Sequence, residues 1–322
     1  MKKIGVLTSG GDAPGMNACV RSVVRCGISR EMEVIGIRHG YRGLIEGEMI
    51  PLGPRSVAHI LEHGGTFLES SRCEEMKTPE GLKKAVDSLT SAGIEGLVAI
   101  GGDGTFRGAA ALSKEGGFKV VGVPGTIDND VYGTDYTIGF DTAVNTAIDC
   151  IDKIRDTAES HGRLFFVEVM GRNRGFIALA VGIAGGADEI LIPETATDLQ
   201  ALANSLKKHM AAGKRSSLVV VAEGDVPGGA QAIADKVGWL VGMDYRVVSL
   251  GHVQRGGSPS ANDRILASEL GAAAVSALAG RVNGCMVGKI GSDIVHTPLE
   301  ESWTETKELD TRMLKMLQIL AI

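Results

Sequence analysis

One recurring unit constrains this chain more than anything else in it: a run of four to six apolar residues, then a glycine-rich loop, then a helical pattern. Strands are expected near Ile4–Leu7, Glu33–Ile37, Leu97–Ile100, Val120–Val123, Leu164–Val169, Glu189–Ile192, Leu218–Ala222 and Arg246–Leu250. Strands that alternate with helices dictate crossover connections, and crossovers dictate a doubly wound, mostly parallel α/β sheet with helices on both faces. Eight strands exceed one compact sheet, so two three-layer α/β/α lobes are expected. Across residues 140–160, Val144, Ala147, Ile148, Ile151 and Ile154 recur at helical spacing and mark a core-facing stripe on a helix joining the lobes. Glycine-rich loop chemistry returns at Gly251–Pro259, which implies that the chain crosses back to the first lobe. The expected lobes are therefore discontinuous: residues 1–139 with 252–304, and residues 140–251 with 305–322.

Open α/β sheets hold ligands in the loops that leave the carboxyl ends of their strands. Three such loops carry chemistry here. Pro124-Gly125-Thr126-Ile127-Asp128-Asn129-Asp130 sets two carboxylates two residues apart, one placed to take a proton and the other to help hold a divalent cation. In Gly101-Gly102-Asp103-Gly104-Thr105 the glycines admit a phosphate close to the backbone, and the acid can serve its Mg²⁺. Thr8-Ser9-Gly10-Gly11-Asp12-Ala13-Pro14-Gly15-Met16-Asn17 runs from a strand into a helix start, an anion site made of free N–H groups and the helix dipole. An acid in one such turn ordinarily caps a helix. Three phosphate-compatible strand ends in one chain outweigh that reading and point to phosphoryl transfer. Neither the P-loop pattern nor G-x-G-x-x-G is present.

Composition narrows the class. The chain has 322 residues, enough for two domains, and a formal net charge of −6, the wrong sign for a general nucleic-acid binder. Its five cysteines form no C-x-x-C pair, so neither a disulfide framework nor a zinc site is expected. Cys19 and Cys26, at i and i+7 on the first helix, read as core packing. No apolar run approaches the roughly 18 residues of a membrane helix, and Met1-Lys2-Lys3 leads directly into the first strand. A reduced, soluble, cytoplasmic protein is expected.

Basic residues cluster at further strand ends. Gly171-Arg172-Asn173-Arg174-Gly175 follows one strand, and His252-Val253-Gln254-Arg255-Gly256-Gly257 follows another. A guanidinium beside glycines suits a phosphate dianion through its bidentate fork. Glu223, at a third strand end, serves equally as a sugar-hydroxyl acceptor or as the partner of a structural arginine. Arg21 and Arg25 share one face of the first helix, by default a solvated one.

These residues together resemble the bacterial-type ATP-dependent 6-phosphofructokinase family. The likeness runs through Ile4–Asn17, Gly101–Thr105, Pro124–Asp130, Met170-Gly171-Arg172 and Gly251–Pro259, and weakens between Asp225 and Asp244 and after Gly288. Gly-Gly-Asp-Gly-Thr alone is shared with NAD kinases and diacylglycerol kinases; the run Pro124–Asp130 separates them. The resemblance implies transfer of the ATP γ-phosphoryl group to the 1-hydroxyl of fructose 6-phosphate, with Asp128 as base, Asp103 as the Mg²⁺ carboxylate and Asp130 assisting. Arg72, Thr126 and Arg172 would neutralise the migrating group. Gly11, Tyr41, Arg72, Cys73, Gly102, Gly104 and Thr105 would line the ATP site. Arg163, Arg246, His252 and Arg255 would take the 6-phosphate, with Met170, Gly171 and Glu223 against the sugar. In the family, the equivalents of Arg163 and Arg246 come from a neighbouring subunit, which implies a homotetramer.

The resemblance also bears on donor and effector. Diphosphate-dependent relatives carry Asp where Gly104 stands and Lys where Gly125 stands, so ATP is the expected donor. The family's site for an ADP or phosphoenolpyruvate effector is matched by Arg21, Arg25, Arg155 and Lys214, but Pro54 replaces an arginine with Arg55 one place on, Ala212 replaces a basic residue and Asp188 stands for Glu. Weak or altered allostery is expected. The alternatives are a diphosphate-dependent enzyme and a nucleotide-binding subunit that has lost catalysis.

Overall fold

The computed structural model describes residues 1–280 and 282–320; residues 321 and 322, which close the expected second lobe, lie outside the described residues. In chain order the elements are β1 (Lys3–Thr8), α1 (Met16–Ser29), β2 (Glu33–Ile37), α2 (Gly40–Glu46), β3 (Met49–Leu52), α3 (Pro79–Ser91), β4 (Gly96–Gly101), α4 (Asp103–Gly116) and β5 (Lys119–Pro124). After α5 (Phe140–His161) come β6 (Leu164–Val169), α6 (Phe176–Ala184), β7 (Glu189–Leu191), α7 (Leu199–Ala211), β8 (Ser217–Ala222), α8 (Gly229–Val241) and β9 (Tyr245–Ser249). The chain ends with α9 (Ala261–Ala279), β10 (Cys285–Ile290), β11 (Asp293–Pro298), α10 (Glu301–Thr304) and α11 (Arg312–Leu320).

Two compact units result. The first comprises Met1–Ile127, Val131–Thr142 and Arg255–Lys307, the second Asp128–Asp130, Ala143–Gln254 and Glu308–Ile322. The first holds a seven-stranded sheet in the order β11-β10-β5-β4-β1-β2-β3. Its interior pairs are parallel, and only β3 and β11 at the edges run antiparallel. Every residue of β4 is buried, as a parallel strand covered on both faces requires. The second unit holds a four-stranded parallel sheet, β7-β8-β6-β9.

All eight expected strands form. Three others, β3, β10 and β11, were not anticipated. Met49-Ile50-Pro51-Leu52 is short and contains proline, which cannot donate to a ladder and is tolerated because β3 is an edge strand. β10 and β11 make a hairpin closed by Gly291 at φ 58 and Ser292, and their alternation is broken by Gly288 and Lys289. The segment 229–241, where the family likeness is weakest, is helical, and Gly228 enters it in the left-handed conformation.

α5 departs from the expected stripe by part of a turn. Its buried positions are Phe140, Thr142, Ala143, Ala147, Ile151 and Ala158, while Val144, Ile148 and Ile154 are half-buried. Its first turn is pinned within the first unit by Asp263 of α9, which accepts from Gly139 N at 2.8 Å, Thr142 N at 2.8 Å and Thr142 Oγ1 at 2.5 Å. Burial pushes the Asp263 carboxyl above its ordinary range, against the pull of these bonds. Cys19 is buried, and burial raises its thiol, as a packing role requires. Among the described residues, no helix is long and apolar enough to cross a membrane.

Candidate active site

In the seven-stranded sheet the chain leaves β1 toward β2 on one side and returns through β4 to β5 on the other. The strand order therefore reverses between β1 and β4, the place where an open α/β sheet forms a ligand crevice. Ser9-Gly10-Gly11 leaves β1 and Gly102-Asp103-Gly104-Thr105 leaves β4 at that point. Ser9 N donates to Ile100 O at 3.0 Å, and Thr105 Oγ1 donates to Ser9 O at 3.1 Å, so the two loops are locked together. A Cβ on Gly101 would stand 2.3 Å from Thr105 Oγ1 and 2.5 Å from Ser9 O; only glycine allows this approach. A Cβ on Gly104 meets nothing within 4 Å, which leaves open space beside the first turn of α4. Asp103, half-buried, opens that helix. One hard carboxylate with room beside it fits Mg²⁺, which binds through one or two carboxylates plus substrate phosphates.

The third loop lies alongside. Gly125 N donates to Gly101 O at 3.0 Å, and Thr137 Oγ1 donates to Thr126 O at 2.6 Å, holding Thr126 in a buried turn. The segment bearing Arg72 and Cys73 hangs from β1 and its turn. Thr8 Oγ1 donates to Glu69 O at 2.8 Å, Ser70 Oγ to Gly10 O at 2.9 Å and Ser71 Oγ to His39 O at 2.8 Å. Glu69, at φ 60, is ion-paired with Arg38 and with His39 Nδ1 at 2.9 Å; hydrogen bonding to Arg38 lowers its carboxyl. This anchoring by Thr8, Ser70 and Ser71 was missed in the sequence, where hydroxyls in a loop carry no distinguishing signal. Arg72 itself is exposed.

Tyr41 is buried, and its hydroxyl donates to Thr105 O at 2.5 Å. Burial raises that hydroxyl well above its ordinary value. It braces the start of α4 from beneath. Arg255 Nη1 donates to Asp12 O at 3.0 Å, and a Cβ on Gly11 would fall 2.5 Å from that nitrogen. Arg255, expected at the sugar phosphate, thus lies within the first unit against the Gly11–Asp12 turn.

In the second unit, strand ends of the parallel sheet gather another set. Asp128 is fully buried and Arg172 Nε lies 3.1 Å from its Oδ2. Arg172 N donates to Glu223 Oε1 at 2.7 Å, so the end of β8 fixes the turn after β6, as a structural reading of Glu223 also allows. Asn129 and Arg172 both take positive φ, 54 and 53, strain of the kind stored at functional turns. Met170 is buried, Gly171 takes φ 140, His252 is exposed, and Asp130 is half-buried.

Two expected members are not with them. Arg163 precedes β6 and Arg246 pairs with Phe165 near its start, whereas Met170 follows its end. The six residues of β6 separate Arg163 from Met170, about 23 Å at the usual rise over the seven steps, beyond the reach of an arginine side chain. Among the described residues, Arg246 donates to Tyr245 O at 2.7 Å and pairs with Asp244 at 3.8 Å.

Of the expected effector residues, Arg21, Arg25 and Arg55 belong to the first unit, with Arg25 and Arg55 exposed. In the second unit Lys214 is ion-paired with Asp188, whose Oδ2 also accepts from Leu218 N at 2.7 Å. Asp188 is buried, and Arg155 donates to Gly186 O at 2.7 Å and to Gly185 O. All three are engaged internally.

The sequence matches the phosphofructokinase family over residues 3–278. It is 59% identical over all 322 residues to ATP-dependent 6-phosphofructokinase 1 of Thermus thermophilus, covering the whole of both chains. It is 52% identical over the full length of both chains to the ATP-dependent 6-phosphofructokinase of Halothermothrix orenii. Among solved structures, that of phosphofructokinase from Saccharomyces cerevisiae aligns with a TM-score of 0.89 at 38% identity, over the whole of this chain and 48% of the yeast chain. A pyrophosphate-dependent phosphofructokinase from Marinobacter aquaeolei shares the fold at a TM-score of 0.84 and 22% identity, over 98% of this chain and 91% of that one.

Two of the three glycines at the β4 turn make opposite predictions. Gly101→Ala forces a methyl into backbone and costs about 3 kcal/mol, whereas Gly104→Ala costs less than about 0.5 kcal/mol. Thermal unfolding of the two variants measures this; equal melting temperatures would contradict the close approach at Gly101.

Proposed function

The chain belongs to the phosphofructokinase family, and from that premise we propose that it phosphorylates the 1-hydroxyl of fructose 6-phosphate with ATP, the glycolytic reaction that yields fructose 1,6-bisphosphate. The observation that carries the residue assignment is the buried Asp128 held by Arg172, on the run Pro124–Asp130.

Phosphoryl transfer asks a protein for positioning and charge neutralisation more than for covalent help. Asp128 accepts the proton of the attacking hydroxyl. Arg172, half exposed, keeps Asp128 oriented and, with Arg72 and Thr126, brings charge and hydrogen-bonding groups to the migrating group. Asp103 would hold Mg²⁺, which would supply charge neutralisation on the transferring phosphates. Gly11, Gly102, Gly104 and Thr105 give the ATP phosphates close access to backbone N–H groups, with Arg72 and Cys73 alongside and Tyr41 supporting them from below. Met170, Gly171, Glu223, His252 and Arg255 take the sugar phosphate, with Asp130 assisting. The unit with the β1 and β4 turns is accordingly the ATP lobe, and the other is the fructose 6-phosphate lobe. Cytoplasmic residence follows from the reaction.

Arg163 and Arg246 serve a neighbouring subunit, and the enzyme is a homotetramer with shared sites. Its effector site for ADP or phosphoenolpyruvate, built from Arg21, Arg25, Arg55, Arg155, Asp188 and Lys214, binds weakly, because the Asp188–Lys214 pair satisfies a cation that an anion would need.

Purified protein given Mg²⁺ and fructose 6-phosphate is expected to form fructose 1,6-bisphosphate with ATP and not with diphosphate, and Asp128→Asn is expected to lower kcat by about 10²–10⁴ with folding intact. Product with diphosphate alone would overturn the donor assignment, and an Asp128→Asn enzyme of normal kcat the base. Mixing Asp128→Asn with Arg246→Ala, each nearly inactive, should regenerate activity in hybrid oligomers after unfolding and reassembly; silence of the mixture would sink the shared site. Saturation by fructose 6-phosphate should be shifted little by ADP; a strongly sigmoidal curve that ADP makes hyperbolic would contradict the weak effector site.

A further inference from the structure

Gln254 is fully buried at the end of the turn Gly251–Arg255, and nothing in the reaction above uses it. Its Oε1 accepts from Met170 N at 2.8 Å. Its Nε2 is buried with no hydrogen-bond partner among the described residues. A methionine or leucine would fill a similar volume without the cost of an unpaired donor, so packing does not account for a glutamine here. The bond to Met170 does.

That bond sits where the sheet ends. On the β9 side of β6, the last backbone rung is Leu250 N to Glu168 O at 3.0 Å; on the β8 side it is Glu223 N to Val169 O at 3.0 Å. Beyond Leu250 the chain turns out of the sheet into Gly251–Arg255, with His252 and Val253 exposed. Met170 N would then lose its partner on that side. The Gln254 amide replaces it, a side chain standing where the next peptide of β9 would have been. We propose that Gln254 is a positioning residue for the sugar phosphate: through Met170 N it registers the turn bearing His252 to the turn bearing Met170, Gly171 and Arg172, so that both present their groups at a fixed separation.

This inference rests on the reading of these turns as the fructose 6-phosphate site. The bond lies outside the residues assigned to ATP, so its loss should raise KM for one substrate and spare the other. In the intact enzyme, Gln254→Met, similar in length but without the acceptor, is expected to raise KM for fructose 6-phosphate about tenfold while KM for ATP stays within about twofold and the melting temperature falls by only a few degrees. An unchanged KM for fructose 6-phosphate overturns the proposal, and so does a parallel loss in both KM values, kcat and melting temperature, which would mark a structural role only. Should Gln254→Met fail to fold, Gln254→Asn, which keeps the amide but falls short of Met170 N, is read by the same criteria. His252→Ala, assayed alongside, separates the two claims. If it leaves KM for fructose 6-phosphate unchanged while Gln254→Met raises it, the assignment of His252 fails and the positioning role stands; if neither variant raises it, both fail.

Discussion

Parallel strands end together, and most of what this protein can do depends on that direction. In the seven-stranded sheet β5, β4 and β1 are neighbours running the same way, so the turns after Thr8, Gly101 and Pro124 emerge side by side. Reversal of the strand order between β1 and β4 opens a crevice there without any residue having to be displaced to make it. What the sequence must then supply is closeness. The missing side chain at Gly101 lets the Ser9 carbonyl and the Thr105 hydroxyl occupy the space a methyl would take, and Tyr41 braces the Thr105 carbonyl from the core. These contacts fix the placement of the glycine-rich turns, which is what binding a phosphate by backbone N–H groups requires.

The Asp128–Arg172 pair is unequal in a way that matters. Asp128 is fully buried, whereas the Arg172 side chain is half exposed. A pair buried on both sides gains little, because desolvation of two ions offsets their attraction. With one partner open to solvent, the desolvation cost falls chiefly on the carboxylate, and the guanidinium stays partly hydrated. Arg172 takes positive φ, a conformation costly for a residue of its kind, and Asn129, next to Asp128, takes it too.

The strand ends and their acids were legible in the sequence because buried parallel strands read as unbroken apolar runs and glycines mark their exits. The edge strands were not. Pro51 argues against a strand unless its edge position is known, and Gly288 and Lys289 break the alternation of β10, so both are settled by tertiary pairing rather than local pattern. Among site residues, Asp103 and Arg172 stood out as charges beside glycines, and Asp128 as one of two carboxylates two residues apart in a Gly/Pro-bounded loop. The internal bonds of Tyr41 and Arg255 were not legible: one hydroxyl donates to the Thr105 carbonyl under the helix start, and the other side chain donates to the Asp12 carbonyl. A one-dimensional pattern records which loop a residue is on, but not which way its side chain turns.

Arg163 and Arg246 show the same directionality working in reverse. They lie toward the starting ends of β6 and β9, and Met170 and His252 at the finishing ends. No rotamer of either arginine spans that length of strand, so their proposed role at the sugar phosphate requires a second copy of the chain. The requirement has a physical consequence. A phosphate bound by arginines from one copy and a histidine from another is stabilised only while the two copies hold one relative placement, so any ligand that favours a different placement weakens substrate binding without touching the substrate. On the proposed shared site, sensitivity to assembly would be imposed by the parallel sheet before any effector site is considered, and an internal ion pair such as Asp188–Lys214 would weaken effector response while leaving that sensitivity in place.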